Sequence, residues 1–248
     1  KERTFMQDNN LFLNLFDGYK YNKTDVRDEE KIKNGTEGVK IVWNHIKEIL
    51  CNNSEIHFNY VQNWIRKLIY GFKLKTMLYF KSKMGRGKDK ITKFLFDILG
   101  HKICLSLQND KVFTGDFNGG LMSKVLCVPN EIVHNFDEFK SLYNSMKSFI
   151  TDELITYRSL YNNPIQMMNM TSFIMTGNYS MLKLDGPDKG QDRRIFACDV
   201  SSIVKDFEYC RIFDNACANE DVQYAFYWDC IDNIDLNFNE QEQLKLLP

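Results

Sequence analysis

Residues 76–99 read Thr-Met-Leu-Tyr-Phe-Lys-Ser-Lys-Met-Gly-Arg-Gly-Lys-Asp-Lys-Ile-Thr-Lys-Phe-Leu-Phe-Asp-Ile-Leu, and few folds accept that order. Residues 76–80 are a short β-prone apolar run. Gly85 and Gly87 then bracket Arg86, and Lys88 follows. Ile91, Phe94, Leu95, Ile98 and Leu99 recur at helical spacing, and Gly100 stands where a helix stops. Strand, tight turn and helix in this sequence are the building unit of a parallel α/β sheet. Small residues in such a turn let successive backbone N–H groups face one cup. The helix N-terminus adds its positive dipole end, and a lysine can reach the β- and γ-phosphates of a nucleotide. Against the general pattern G-x-x-x-x-G-K-[ST], Ser82 takes the place of the first glycine and Asp89 that of the hydroxyl residue. The same stretch also reads as a basic surface turn carrying Lys81, Lys83, Arg86, Lys88 and Lys90.

Composition narrows what such a unit can serve. The chain has 248 residues, 44% hydrophobic and 14% aromatic, enough for one large core or two small ones. Thirty-two basic and 33 acidic residues leave a net charge of −1, so any nucleic-acid contact must come from a local patch. Seven cysteines contain no C-x-x-C pair, and His45, His57, His101 and His134 share no ligand spacing with them. That pattern predicts unpaired thiols in a reducing compartment and no structural zinc. No apolar run approaches the ~20 residues of a membrane span, and the chain is expected to be intracellular rather than secreted. It opens on Lys1, as an excised piece of a longer protein would.

Taken in order, residues 1–30 mix aromatic and polar side chains as a lead-in, with a solvated charged run at 25–31. Residues 37–74 predict two helices. Val39, Ile41, Val42, Ile46, Ile49 and Leu50 form one apolar face, Asn52-Asn53-Ser54 breaks it, and Phe58, Val61, Trp64, Ile65, Leu68 and Ile69 form a second. Trp64 belongs to the core on this spacing. Residues 102–107 predict a strand and 113–123 a loop. Residues 125–128 are four consecutive apolar positions, as a strand buried on both faces requires. That strand ends in Asn130-Glu131, where ligands bind in open α/β sheets. Glu131 there can polarise an attacking water, and Asn130 can help hold Mg²⁺ or its waters. Both can equally be simple polar caps. Residues 136–150 predict a second crossover helix, and 151–164 alternate and then turn. The strand at 171–177 ends in Gly177-Asn178, whose amide can donate to a γ-phosphate. Arg193 and Arg194 open a fifth β-prone run, placed to reach a neighbouring subunit or to pair with Asp188 or Asp192. From residue 201 onward the chain is helical in character.

In this order the motifs resemble those of the superfamily 3 helicases of the AAA+ class, particularly the primase–helicase proteins of large DNA viruses, mobile elements and phages. Residues 82–89 are similar to the Walker A loop, which implies nucleotide contacts from Ser82, Gly85, Arg86, Gly87, Lys88 and Asp89. Residues 125–131 resemble Walker B with Glu131 as catalytic glutamate, and Asp89, Asn130 and Glu131 as the metal positions. Residues 147–162 resemble the B′ motif, with Asp152, Tyr157, Arg158 and Tyr161 keeping its outline. Residues 172–178 resemble motif C with Asn178 as sensor, and Arg193 and Arg194 match the arginine-finger position. The stretch 13–21 and the segment around Trp64 resemble the part that precedes the ATPase core.

The resemblance implies an α/β, P-loop AAA+-type parallel sheet of about five strands flanked by helices. A small N-terminal helical subdomain (1–74) would precede the ATPase core (75–200), and a C-terminal helical segment (201–248) would pack on it. It implies ATP and Mg²⁺ as cofactors, Lys88, Glu131, Asn178, Arg193 and Arg194 as catalytic residues, and a homo-oligomeric ring, most simply a hexamer. Single-stranded DNA would be held by Lys147, Arg158, Asn162 and Asn163, with a primase fused or associated upstream. A viral chain would work at the replication site. Two other readings stay open. One is a nucleotide-binding ring that scaffolds replication without efficient hydrolysis, favoured by Asp89 and Asn130. The other is a P-loop kinase.

Overall fold

The computed structural model describes residues 4–7, 10–13, 16–81, 87–130, 132, 136–177 and 193–245. In chain order the elements are β1 (Thr4–Gln7), β2 (Asn10–Leu13), α1 (Glu29–His45), α2 (Glu55–Tyr70), β3 (Met77–Lys81), α3 (Lys88–Leu99), β4 (Cys104–Leu107), α4 (Lys111–Thr114), β5 (Leu126–Pro129), α5 (Phe136–Thr151), β6 (Leu154–Tyr157), β7 (Ile165–Met168), β8 (Ser172–Gly177), β9 (Ile195–Asp199), α6 (Phe207–Ala218), α7 (Glu220–Asp232) and α8 (Glu240–Lys245). Five strands form one sheet in the order β4-β5-β8-β3-β9. Every pairing in it is parallel, with Met77 opposite Phe173 on one side and Ile195 on the other. The α/β sheet flanked by helices expected from the sequence is what the chain forms.

The sheet is covered on both faces, which is why its strands are almost wholly apolar. Side chains alternate between two cores. Leu78 and Phe80 of β3, Leu126 and Val128 of β5, Ile174 of β8 and Phe196 of β9 join the larger one. There they meet Ile91, Phe94, Leu95 and Leu99 of α3 and the apolar faces of α1, α2, α6 and α7. Met77 and Tyr79, Cys127, and Phe173 and Met175 point to the opposite face, against Phe139, Leu142, Met146 and Ile150 of α5. Each such side chain, removed from water, contributes on the order of 1.5–3 kcal/mol.

Helix boundaries follow local chemistry. Asp28 accepts from the Lys31 amide and caps α1, so the expected solvated run at 25–31 is in part a helix start, with Glu29 and Glu30 on the positive end of the dipole. Ser54 caps α2 in the same way, after the break expected at 52–54. Between them the chain makes a π-helical turn over Ile46–Leu50. Trp64 is fully buried, and its indole N–H donates to the Thr76 carbonyl at 3.1 Å. α7 buries Val222, Ala225, Phe226, Tyr227 and Trp228 on several sides, as the central member of its layer. Residues before the first sheet strand and residues after the last therefore share one core. No helix among the described residues is long and apolar enough to cross a membrane.

At the amino ends of the strands, Lys73 is half-buried and donates to the carbonyls of Phe149 (3.0 Å) and Thr171 (2.7 Å). Burial, with Lys75 adding repulsion, lowers its pKa to about 7. The unfolded chain then holds a proton that the folded chain releases between about pH 7 and the ordinary lysine range near 10.5. The charge penalty is full below pH 7 and fades as pH rises. We expect the stability of the native chain relative to Lys73→Met to grow from pH 7 to pH 10 in parallel denaturant titrations. A pH-independent difference would contradict the lowered pKa.

Candidate functional site

β3 lies between β8 and β9, and the helices that follow β3 and β5, the two strands flanking β8, go to opposite faces: α3 from β3 to one core and α5 from β5 to the other. A crevice opens at the carboxyl tips of strands arranged in this way. Gly87 takes the left-handed conformation (φ 75°) and N-caps α3. Its carbonyl receives the amides of Lys90 (3.1 Å) and Ile91 (3.2 Å). Lys88, the first residue of α3, is 2% exposed. An ammonium so deeply placed is tolerated only where polar groups face it. Asp89 is exposed, and Lys90 pairs with Asp214 of α6 at 3.0 Å.

At the neighbouring tips, Asn130 continues β5 by a bridge to Thr176. Its amide is engaged at both ends: the nitrogen donates to the Ser106 hydroxyl (3.1 Å) and the oxygen accepts from the Thr176 hydroxyl (3.1 Å). The side chain thus ties β4, β5 and β8 together. Lys81, the last residue of β3, pairs with Asp199, the last of β9, at 2.7 Å. Gly177 ends β8 against the Tyr79 hydroxyl, which sits 2.6 Å from where a Cβ would be. Burial pushes the Tyr79 phenol up to about 12, helped by Asp199. Ser82, Gly85, Arg86, Glu131 and Asn178, the other residues expected at these tips, lie outside the described residues. Among the described residues no three metal-type side chains converge.

Beside Gly87 a crevice of about 280 Å³ runs between α1 and α6, lined by His45, Ile49, Val204, Tyr209 and Phe213 with Asp89 and Lys90 at its rim. Its apolar walls suit a small organic group. Lys205 lies 4.5 Å from the Tyr209 ring centroid and pairs with Glu48 at 2.7 Å. Burial raises the Tyr209 phenol to about 12.

The opposite end of the sheet holds the remaining expected residues. The Arg194 carbonyl accepts from the Met77 amide at 2.7 Å, fixing Arg193 and Arg194 at the amino end of β3 and β9. A five-residue strand, about 16 Å, separates them from the Gly87 turn. Arg193 is exposed and Arg194 half-buried. β6 and β7 pair as an antiparallel hairpin, with Ile155 and Tyr157 turned into the core. Asn118 clamps its root, accepting from the Arg158 amide (2.7 Å) and donating to the Thr156 carbonyl (3.1 Å). The hairpin turn presents Arg158, Asn162 and Asn163 to solvent. Lys147 sits apart on α5, with its ammonium 5.2 Å from the Tyr143 ring centroid.

Tyr161 was expected only as part of the outline of the B′ motif, and Phe117, His45 and Tyr209 carried no functional expectation. Tyr161, at the hairpin turn, is 96% exposed and left-handed (φ 62°), a costly conformation for an aromatic residue. Phe117, next to the Asn118 clamp, is also exposed. The Tyr-Asn-Asn-Pro turn was a signal for the first; nothing local marked the second. His45 and Tyr209 are 164 residues apart, and no pattern in the sequence joins them.

A family model described as a family of unknown function (DUF5906) matches residues 80–194, a little under half of the chain. It spans the turn, β5, the hairpin, β8 and the arginine pair. No curated protein matches the sequence. In fold, the chain is similar to the apo structure of the NrS-1 C terminal region (305-718), with a TM-score of 0.66 and 18% identity over 100% of this chain. Two A-form apo structures of the same region give TM-scores of 0.63 at 17% identity. The chain spans 58–59% of the length of these structures.

The Tyr79–Gly177 contact carries a direct test. Gly177→Ala should destabilise the fold by about 1–3 kcal/mol through overpacking. Tyr79→Phe, which removes the obstructing hydroxyl, should recover much of that loss. Both are read from thermal midpoints, and an unrelieved loss in the double variant would contradict the contact.

Proposed function

We propose that this chain is the nucleotide-hydrolysing core of a DNA helicase of superfamily 3 type. One observation carries the reading: the buried Lys88 opens α3, the helix that follows β3, beside an apolar crevice. Phosphates would lie over the Gly87–Lys88 turn, where backbone N–H groups, the helix dipole and the lysine all favour negative charge. The base would enter the crevice between α1 and α6. Bound Mg²⁺ would supply charge neutralisation, and Asp89 and Glu131 are the residues that would hold it. Glu131 and Asn178 would orient the attacking water.

Arg193 and Arg194 stand a strand length from their own Lys88. They would therefore serve the site of a neighbouring copy, in a ring that is most simply a hexamer. An arginine supplied in this way is worth about 10³–10⁵ in turnover. Single-stranded DNA would run over the hairpin turn, with Arg158 on phosphate and Tyr161 on a base. The shared fold of the NrS-1 C terminal region supports the architecture of this reading.

Phosphate release from ATP should rise with single-stranded DNA, rise more than linearly with protein concentration, and vanish in Lys88→Ala. A second reading, a nucleotide-binding scaffold without efficient turnover, has Asn130 in its favour, because that side chain is committed to Ser106 and Thr176. Tight binding without release would select it, and absence of nucleotide binding would overturn both.

On the DNA side, Tyr161→Ala should weaken single-stranded DNA binding by about 1–3 kcal/mol. Arg158→Ala should lower the slope of log K against log salt by about one. Unchanged affinity and slope in fluorescence anisotropy would remove the hairpin turn from the DNA path.

A further inference from the structure

His45 is the last residue of α1 and is buried. Three contacts fix its ring. It stacks on Phe213 at 3.8 Å between centroids and 10° between planes. It stacks more loosely on Tyr209, at 5.9 Å and 28°. Its Nδ1 lies 3.1 Å from the Tyr209 hydroxyl. Tyr209 is itself set by the start of α6, where the Asp206 carboxylate accepts its amide at 2.8 Å. The Nε2–Cε1 edge of the imidazole then meets Gly87: a Cβ on residue 87 would fall 2.5 Å from Nε2 and 2.7 Å from Cε1. Those separations are too short for any real side chain, and the Phe213 ring stacked on the imidazole brings its Cε1 to 3.5 Å from the same point. Position 87 is thus restricted to glycine for two reasons, its left-handed φ of 75° and the imidazole against which it packs.

We propose that His45 is a positioning residue for the Gly87–Lys88 turn. Clamped by Phe213 and Tyr209, its ring is the wall against which the turn is formed, so the docking of α6 on α1 decides how Lys88 enters α3. This deepens the nucleotide reading, on which its functional consequence rests. It gives the helical layer a means of setting the competence of the phosphate turn, since any movement of α6 moves the wall.

A double-mutant cycle tests it, read by titration with N-methylanthraniloyl-ATP in the presence of Mg²⁺ on the full chain. Gly87→Ala should weaken binding at least about tenfold, through both the clash and the left-handed backbone. In the His45→Ala background the same change should cost at least threefold less, because the obstructing ring is gone. Tyr209→Phe, which keeps the ring stack and removes only the hydroxyl, should weaken binding less than His45→Ala does. A structural loss alone would leave the effects of Gly87→Ala and His45→Ala independent. Equal cost of Gly87→Ala in both backgrounds would overturn the proposal.

Hydrogen exchange of the Lys90 and Ile91 amides, both bonded to the Gly87 carbonyl, gives a second readout that needs no nucleotide. Exchange should accelerate in His45→Ala, and unchanged exchange there would also overturn the proposal. Failure of the native chain to bind the probe, with the exchange effect present, would reject the nucleotide reading and leave the positioning role standing.

Discussion

The structure depends on the burial of β3 on all sides. Parallel partners flank it, and Leu78 and Phe80 enter one core while Met77 and Tyr79 enter the other. A strand so placed has no freedom of register, because a slip by one residue would exchange its two faces. Its tip is therefore a fixed point, and whatever follows Lys81 leaves from a defined place. The chain must reach the far edge for β4, return through β5 and β8, and cross β3 to lay down β9. That route creates the crevice at the carboxyl tips and sends the arginine pair to the other end.

The two ends of the sheet consequently carry different groups. The carboxyl end gathers the Gly87 turn, Lys88, Asn130 and Gly177, with an apolar crevice alongside. The amino end gathers the hairpin, its Asn118 clamp and the arginines, with Lys73 and Asn169 tying the hairpin root to the end of α5. A single copy cannot bring Arg193 to its own Lys88 across a strand length. Assembly is thus built into the proposed activity.

Much of this was legible in the sequence because it is local. The strand–turn–helix unit, the four apolar residues of β5 and the amphipathic α5 each follow from spacing within one element. The start of α1 at Glu29 was missed: Asp28 followed by two glutamates is a capping signal, but the charged run around it reads as a solvated segment. What stayed hidden is non-local. Strand order is set by which strands share a core, not by any one of them. The engagement of Asn130 needs Ser106 and Thr176, from two other strands. The wall behind Gly87 needs His45 and Phe213, brought together only by the packing of α6 on α1. Tyr161 was visible as a turn residue, but its exposure depends on how the hairpin docks.

The most direct test of the central claim is amide hydrogen exchange of the full chain with and without ATP and Mg²⁺. Binding at the strand tips predicts protection concentrated at residues 87–91, at Asn130 and at 176–177, with the hairpin and Arg193–Arg194 unaffected in the absence of DNA. Protection centred on the amino end of the sheet, or none at any tip at saturating nucleotide, would contradict it.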